Sequence, residues 1–213
     1  TRILTQFLTA DAIDYLRMAT APFFVGDSHA PRFVHAGRFP HNKDRRMHLL
    51  STQAIGDMSV AIYALKASAE DYARMEQAIT LAAQCPPSKG AYSVGAVIVT
   101  EDGQVFTGYS RETAPTNHAE EEAILKAIRA GSRLTGATVY SSMEPCTTRK
   151  SKPASCSELI ILHRMKRVVF ATYEPPTFVT CLGEAVLRQA GIEVTILSDL
   201  AQKALDVNRH LAK

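Results

Sequence analysis

The chain combines three potential zinc ligands with a neighbouring carboxylate. His118 and Glu120 are two positions apart, and Cys146 and Cys156 follow further along the chain. One imidazole and two thiolates can hold a zinc ion and leave its fourth position to water, whose pKa the metal lowers. We therefore predict that His118, Cys146 and Cys156 bind Zn²⁺ and that Glu120 moves protons.

The same residues also fit a purely structural interpretation. His118 would then precede a helix whose N-terminal dipole is stabilised by Glu120 and Glu121, and the two cysteines would be core residues. A single His-x-Glu or Pro-Cys pair is weak evidence for a metal site. Both pairs occur here in this order, each before a predicted helix, and this combination favours the metal site.

The two cysteines are separated by a long basic segment, residues 147–155. Cations beside a catalytic metal can bind a phosphate group of a substrate. Exposed loops are also often basic merely for solubility, so both interpretations stay open. The predicted substrate-binding set combines the cations of this segment with polar residues near the metal ligands: Ser93, Asn117, Ser142, Arg149, Lys150 and Lys152.

Residues 1–66 are expected to form a small unit before the larger domain. We expect a helix over about Thr9 to Met18, with Thr9 as its N-cap, and an extended segment at Pro22–Val25. Strands at His48–Ile55 and Met58–Leu65 should follow as a hairpin. One helix and three strands bury too little surface to be stable alone, so we expect this part to dock on the second part or on a partner chain.

Residues 67–213 predict a larger domain in which strands and helices alternate. The alternation after Tyr109 predicts a partly parallel sheet with helices on its faces, a three-layer α/β/α fold with a mixed sheet. The expected helices begin near Ser68, His118, Ser155, Gly183 and Asp199, the last running to Leu211; the expected strands are Val94–Thr100, Val105–Tyr109, Ala137–Ser141, Arg167–Ala171 and Glu193–Leu197.

Composition narrows the function classes. The 213 residues are 46% hydrophobic and carry a formal net charge of only +3, without a long basic run, so we expect no nucleic-acid partner. No apolar stretch is long enough for a membrane span, and the first residues do not resemble a secretion signal, which makes a cytoplasmic location the default. Cys85 and Cys181 are expected to be small buried apolar residues.

Several passages resemble the cytidine-deaminase-like superfamily, and more closely the deaminase domain of bifunctional riboflavin-biosynthesis deaminase/reductases. The resemblance implies hydrolytic deamination of an aminopyrimidine, in particular the phosphoribosylated diaminopyrimidinone intermediate of riboflavin synthesis, by a homodimer or larger homo-oligomer. A cytidine or deoxycytidylate deaminase and a zinc-stabilised, non-catalytic binding module are the alternatives. The matching passages are Val94–Val99, His118–Glu120, Gly136–Tyr140, Glu144–Cys146, Lys166–Val169 and Leu187–Val194.

The first part resembles the C-terminal third of the reductase domain of the same enzymes, which has a dihydrofolate-reductase-like fold. The matching passages are Gln6–Ala10, Ala21–Gly26 and the two hairpin strands. The chain begins about where the cofactor-binding glycine turn of that domain should have ended. The resemblance therefore implies that residues 1–66 hold an incomplete NADPH site and that the missing part of the reductase domain is a further candidate partner.

Overall fold

The computed structural model describes residues 2–66, 68–149, 151–174 and 182–211. Within the chain, two compact units are distinguished, residues 1–69 and residues 70–213. In the described ranges, no helix has both the length and the apolar character needed to cross a membrane.

The first unit is a three-stranded antiparallel sheet with one helix. Helix α1 spans Arg2–Thr9, and the strands are β1 (Tyr15–Thr20), β2 (His48–Ile55) and β3 (Met58–Ala64). Strand β3 lies in the middle of the sheet, with β1 and β2 on its two sides. A small hydrophobic cluster of the first unit contains the buried residues Leu8, Leu16 and Leu65. The predicted hairpin is confirmed.

The predicted helix over Thr9 to Met18 is wrong. Helix α1 ends at Thr9, Asp11 adopts a positive φ of 53°, and the following residues form β1. The Thr9 hydroxyl donates to the carbonyl oxygens of Thr5 and Gln6, so Thr9 closes this helix instead of capping the start of another.

The pairing of β1 explains the error. Every residue of β1 faces a residue of β3, from Tyr15 opposite Ala64 to Thr20 opposite Ser59. A strand partner 39 to 49 residues away outweighs a helical spacing of apolar residues. Accordingly, the third strand of the sheet is β1, and Pro22–Val25 is not a strand.

The second unit contains a five-stranded mixed sheet with the order β5-β4-β6-β7-β8. Pairs β5-β4 and β4-β6 are antiparallel, whereas β6-β7 and β7-β8 are parallel. This confirms the predicted α/β fold with a mixed sheet. The strands are β4 (Gly95–Val99), β5 (Val105–Tyr109), β6 (Thr138–Met143), β7 (Arg167–Thr172) and β8 (Glu193–Ile196).

Five helices accompany this sheet: α2 (Ala69–Ala82), α3 (Ala119–Arg129), α4 (Cys156–Leu162), α5 (Gly183–Gln189) and α6 (Ala201–Asp206). The single last helix predicted over Asp199 to Leu211 is wrong, because α6 is flanked by short 3₁₀ turns. The chain is tethered at Asn208, whose buried side-chain amide accepts from the Ser93 N–H and donates to the Ser93 carbonyl.

Close packing between β5 and α3 positions the start of that helix. A Cβ atom at Gly108 of β5 would lie 2.3 Å from the carbonyl oxygen of Ala119. Real atoms do not approach so closely, so only glycine lets the first turn of α3 rest on this strand. This packing therefore fixes the distance of His118 and Glu120 from the sheet.

Candidate metal centre and active-site cavity

The structure brings His118, Cys146 and Cys156 together. His118 is the N-cap of α3, Cys146 lies in the loop after β6, and Cys156 is the first residue of α4. Their potential ligand atoms all lie within 4.8 Å of one another. The three residues come from separate parts of the chain, and the two helix starts and the end of β6 meet at this point.

Local hydrogen bonds hold the two cysteines in place. Ser155 and Glu158 form a capping box at the start of α4, which fixes the backbone at Cys156. The Ser157 N–H donates to the Cys146 carbonyl at 3.0 Å, and the Ser157 hydroxyl donates to the Pro145 carbonyl at 3.1 Å. The ten-residue separation of the cysteines in sequence is thus closed by the first turn of α4.

The donor set fits zinc in chemistry and in spacing. Nδ1 of His118 lies 3.5 Å from Sγ of Cys146 and 3.4 Å from Sγ of Cys156. Tetrahedral zinc, with bonds of about 2.3 Å to sulfur and about 2.0 Å to nitrogen, separates such atoms by about 3.6 Å. One neutral imidazole and two thiolates are also the soft, partly anionic ligands that zinc prefers.

The two thiols differ in acidity. A hydrogen bond from the Cys156 thiol lowers the pKa of Cys146 to about 4, and the same contact raises the pKa of Cys156 well above its usual value. Burial alone would lower the pKa of His118, but its interaction with Cys146 raises it. Cys146 therefore loses its proton more readily than Cys156.

Glu120 faces the same cluster. Its carboxylate accepts from the Ser141 hydroxyl at 3.0 Å, and its Oε2 lies 3.3 Å from Sγ of Cys156. Burial, followed by the negative charge of Cys146, raises the pKa of Glu120. A buried carboxylate of raised pKa beside a metal cluster is suited to accept and return a proton.

The loop that carries Cys146 is supported from α5. A Cβ atom at Gly183 would lie 2.2 Å from the Pro145 carbonyl oxygen, so the start of α5 packs directly on this loop. The Glu184 N–H donates to the Glu144 carboxylate at 2.9 Å. Both contacts fix the segment between β6 and the first cysteine.

A cavity of about 330 Å³ opens onto the cluster, and His118, Glu120 and Cys146 form part of its wall. This volume is at the lower end of the range for small-molecule sites. Arg149 and Tyr92 belong to its wall and leave the space open.

The predicted substrate-binding residues separate into three groups. Asn117 and Arg149 line the cavity, and Lys152 contacts Asn117 beside it. Ser93 and Ser142 make other contacts: Ser93 accepts from Arg111, and Ser142 accepts from the Gly95 N–H. Lys150 lies outside the described residues.

Of the two cysteines that were expected to be small buried residues, Cys181 also lies outside the described residues. Cys85 is partly buried, and its thiol donates to the Val94 carbonyl.

Two wall residues, Glu174 and Arg111, were not predicted from the sequence. Burial and the charge of Cys146 raise the pKa of Glu174 to about 7. It follows β7, which is parallel to β6, so the ends of both strands meet at one edge, and this rule could have identified it. Arg111 has a positive φ of 65° and donates to the carbonyls of Pro86 and Tyr92.

Comparisons with known proteins agree with this geometry. Residues 68–172 match the family described as cytidine and deoxycytidylate deaminase zinc-binding region. A diaminohydroxyphosphoribosylamino-pyrimidine deaminase of Schizosaccharomyces pombe is 45% identical over 127 residues, which are 59% of this chain and 31% of that protein. The chain thus spans about a third of the length of this curated relative.

Two solved structures are similar. One is a diaminohydroxyphosphoribosylaminopyrimidine deaminase/5-amino-6-(5-phosphoribosylamino)uracil reductase from Thermotoga maritima. It has 30% identity and a TM-score of 0.57 over 66% of this chain and 40% of its own. The Rib2 deaminase of Aspergillus oryzae, in complex with DARIPP, has 26% identity and a TM-score of 0.57 over 64% of this chain and 88% of its own.

Proposed function

We propose that this chain is a zinc-dependent hydrolytic deaminase of an aminopyrimidine, because residues 68–172 match the cytidine and deoxycytidylate deaminase zinc-binding region. The observation that carries the proposal is the position of Glu120. Its buried carboxylate lies between the Ser141 hydroxyl and Sγ of Cys156, in the wall of the cavity onto which His118 also opens. A non-catalytic zinc module would not need a proton carrier there.

In the proposed site, His118, Cys146 and Cys156 hold the metal. Zinc bound there supplies Lewis acidity and lowers the pKa of water. Glu120 accepts a proton from the attacking water and returns it to the ring nitrogen or to the departing amine. Water and the C–NH₂ group are thereby converted to a carbonyl and ammonia. Ser141 orients the carboxylate through its hydrogen bond.

The proposed substrate is the phosphoribosylated diaminopyrimidinone of riboflavin synthesis or its reduced, ribityl counterpart. The similarity to riboflavin-synthesis deaminases supports this choice over cytidine. Three acidic residues of the cavity wall, Glu120, Glu144 and Glu174, also favour a ring rich in N–H donors.

Ammonia release from zinc-loaded protein tests the proposal. The diaminopyrimidine phosphates and, in parallel, cytidine and deoxycytidylate should be compared as substrates. We expect turnover of the diaminopyrimidine only, and a loss of about 10³-fold in Glu120→Gln with zinc content unchanged. Glu112→Gln is a matched control, because Glu112 is paired with Lys126 and does not contact the cluster. A zinc-loaded protein that releases no ammonia from any of these compounds contradicts the proposal.

We also propose that residues 1–66 are the C-terminal part of a reductase-like domain with an incomplete NADPH site. The first unit is a three-stranded sheet with a single helix, and this small size supports the proposal that it is part of a larger domain. Titration with NADPH, followed by nicotinamide fluorescence, should give no saturable binding to this chain.

We further propose that the chain forms a homodimer or a larger homo-oligomer. Sedimentation equilibrium should give the mass of a dimer or a larger assembly.

A further inference from the structure

In the segment between the two metal-cluster cysteines, residues 147–155, two described cations bind one carboxylate of α3. Arg149 donates to Oε2 of Glu121 at 2.9 Å, and Lys152 donates to Oε1 at 2.7 Å. Glu121 directly follows Glu120, and its side chain is only 11% exposed, whereas that of Arg149 is 5% exposed. These two ion pairs form a two-cation clamp on the helix that carries the proposed catalytic residue, with Arg149 buried and Lys152 partly exposed.

The same contacts use the hydrogen-bond donors of the two cations. Arg149 also donates through Nε to the Ala154 carbonyl at 2.7 Å, which folds the segment back on itself. Lys152 also donates to Oδ1 of Asn117, whose Nδ2 donates to Glu122 at 3.0 Å. Arg149 and Lys152, two of the three cations that the sequence offered for phosphate binding, are therefore engaged with the protein in this structure.

Three consecutive glutamates of α3 thus have three different partners. Glu120 contacts the metal cluster, Glu121 contacts the cations of segment 147–155, and Glu122 accepts from Thr113 and Asn117 in the loop before the helix. All three are buried. Of the three, Glu121 is the one that pairs with cations, so its removal should change the charge of the cavity wall.

We propose that Glu121 is a positioning residue that clamps segment 147–155 on the start of α3 and withholds the donors of Arg149 and Lys152 from anions in the cavity. It acts through the segment and not on substrate. The proposal rests on the proposed function only in treating this cavity as the active site. Before an anion binds, Arg149 and Lys152 are paired with Glu121, so an anionic ligand must compete with Glu121 for these cations.

Limited proteolysis tests the clamp without turnover. Trypsin can cleave after Arg149 or Lys150 once Arg149 is released from Glu121, so zinc-loaded Glu121→Gln should be cut at these two bonds about tenfold faster than the wild type. As a control, Glu112→Gln removes the carboxylate that pairs with Lys126 of α3, and this variant should be cut at the wild-type rate. An unchanged cleavage rate in Glu121→Gln would overturn the proposal, and Glu121→Asp should restore much of the protection.

Calorimetric titration with inorganic phosphate at low ionic strength tests the second half of the proposal. Freeing two cations beside the cavity should lower the Kd for phosphate in Glu121→Gln by about three- to tenfold. An unchanged or higher Kd contradicts it. A merely structural ion pair would destabilise the fold without tightening phosphate binding.

Should Glu121→Gln fail to fold, Lys152→Gln keeps the trypsin site at Arg149 and removes one ion pair at a position with 30% side-chain exposure. It should be cut faster than the wild type by a smaller factor, and equal rates would contradict the clamp. Neither measurement uses deaminase activity. A chain that releases no ammonia but shows both effects contradicts the proposed function alone.

Discussion

The two units of the chain differ in how completely they bury their strands. In the second unit, five of six residues in β6 and in β7 are buried. In the first unit, β2 has no fully buried residue and β1 has one, Leu16. Strands buried on both faces are fixed in register and height, which a metal cluster requires, whereas strands fixed mainly by backbone pairing are not.

The largest expected effect follows from the core of the second unit. Phe170 of β7 is fully buried within that core, so Phe170→Ala should lower the free energy of unfolding by about 3–5 kcal/mol. Urea unfolding followed by circular dichroism measures this loss. Hydrogen exchange should accelerate through β4 to β8, and an effect below about 1 kcal/mol would remove the contrast between the units.

A smaller effect is expected in the first unit. Leu16 is 8% exposed and packs in a small cluster with Leu8 and Leu65, so Leu16→Ala should cost about 2 kcal/mol, the lower end for such substitutions. Hydrogen exchange should accelerate in β1 and β3 and stay unchanged in β6 and β7. Equal acceleration in both units would mean that they unfold together.

The ion pairs of Glu121 predict a pH dependence confined to the second unit. Burial alone would raise the pKa of Glu121, but the hydrogen bonds from Lys152 and Arg149 lower it below 4.5. A lowered folded-state pKa stabilises the protein above about pH 4.5, and this contribution is lost as pH falls through the folded value. Metal-free protein should therefore lose stability below about pH 4.5 more steeply than metal-free Glu121→Gln. Parallel curves would contradict this.

The smallest effect is expected at the exposed aromatic pair of the first unit. Phe24 is fully exposed and Phe23 is 70% exposed. Phe24→Ser should change the free energy of unfolding by less than about 0.5 kcal/mol. Urea unfolding measures the change, and a loss above about 1 kcal/mol would show that Phe24 is buried in solution.

The same contrast explains what the sequence could predict. The hairpin of β2 and β3 and the strand-helix order after Tyr109 follow from local turn and apolar patterns, and the structure agrees with both. Strand β1 depends on pairing with β3, which no local pattern records. Asn208 ends the last helix through a tether to Ser93, again a distant partner.

Site prediction had the same limit. Residue types and their order suggested that His118, Cys146, Cys156 and Glu120 belong together, and the structure places them together. The choice between Ser141 and Ser142 depended on which face of β6 each occupies, because side chains alternate along a strand. Ser141 reaches Glu120, whereas Ser142 bonds to Gly95. The partners of Arg149 and Lys152 also required three-dimensional contacts.

The tether between Asn208 and Ser93 has a consequence for the order of folding during synthesis. The buried backbone of Ser93 leads into β4, which lies between β5 and β6, and its hydrogen-bond partner is 115 residues further along the chain. A ribosome must therefore produce 115 residues beyond Ser93 before the backbone at the start of β4 has this hydrogen-bond partner. The sheet that carries the cluster is expected to become stable only after Asn208 has left the exit tunnel.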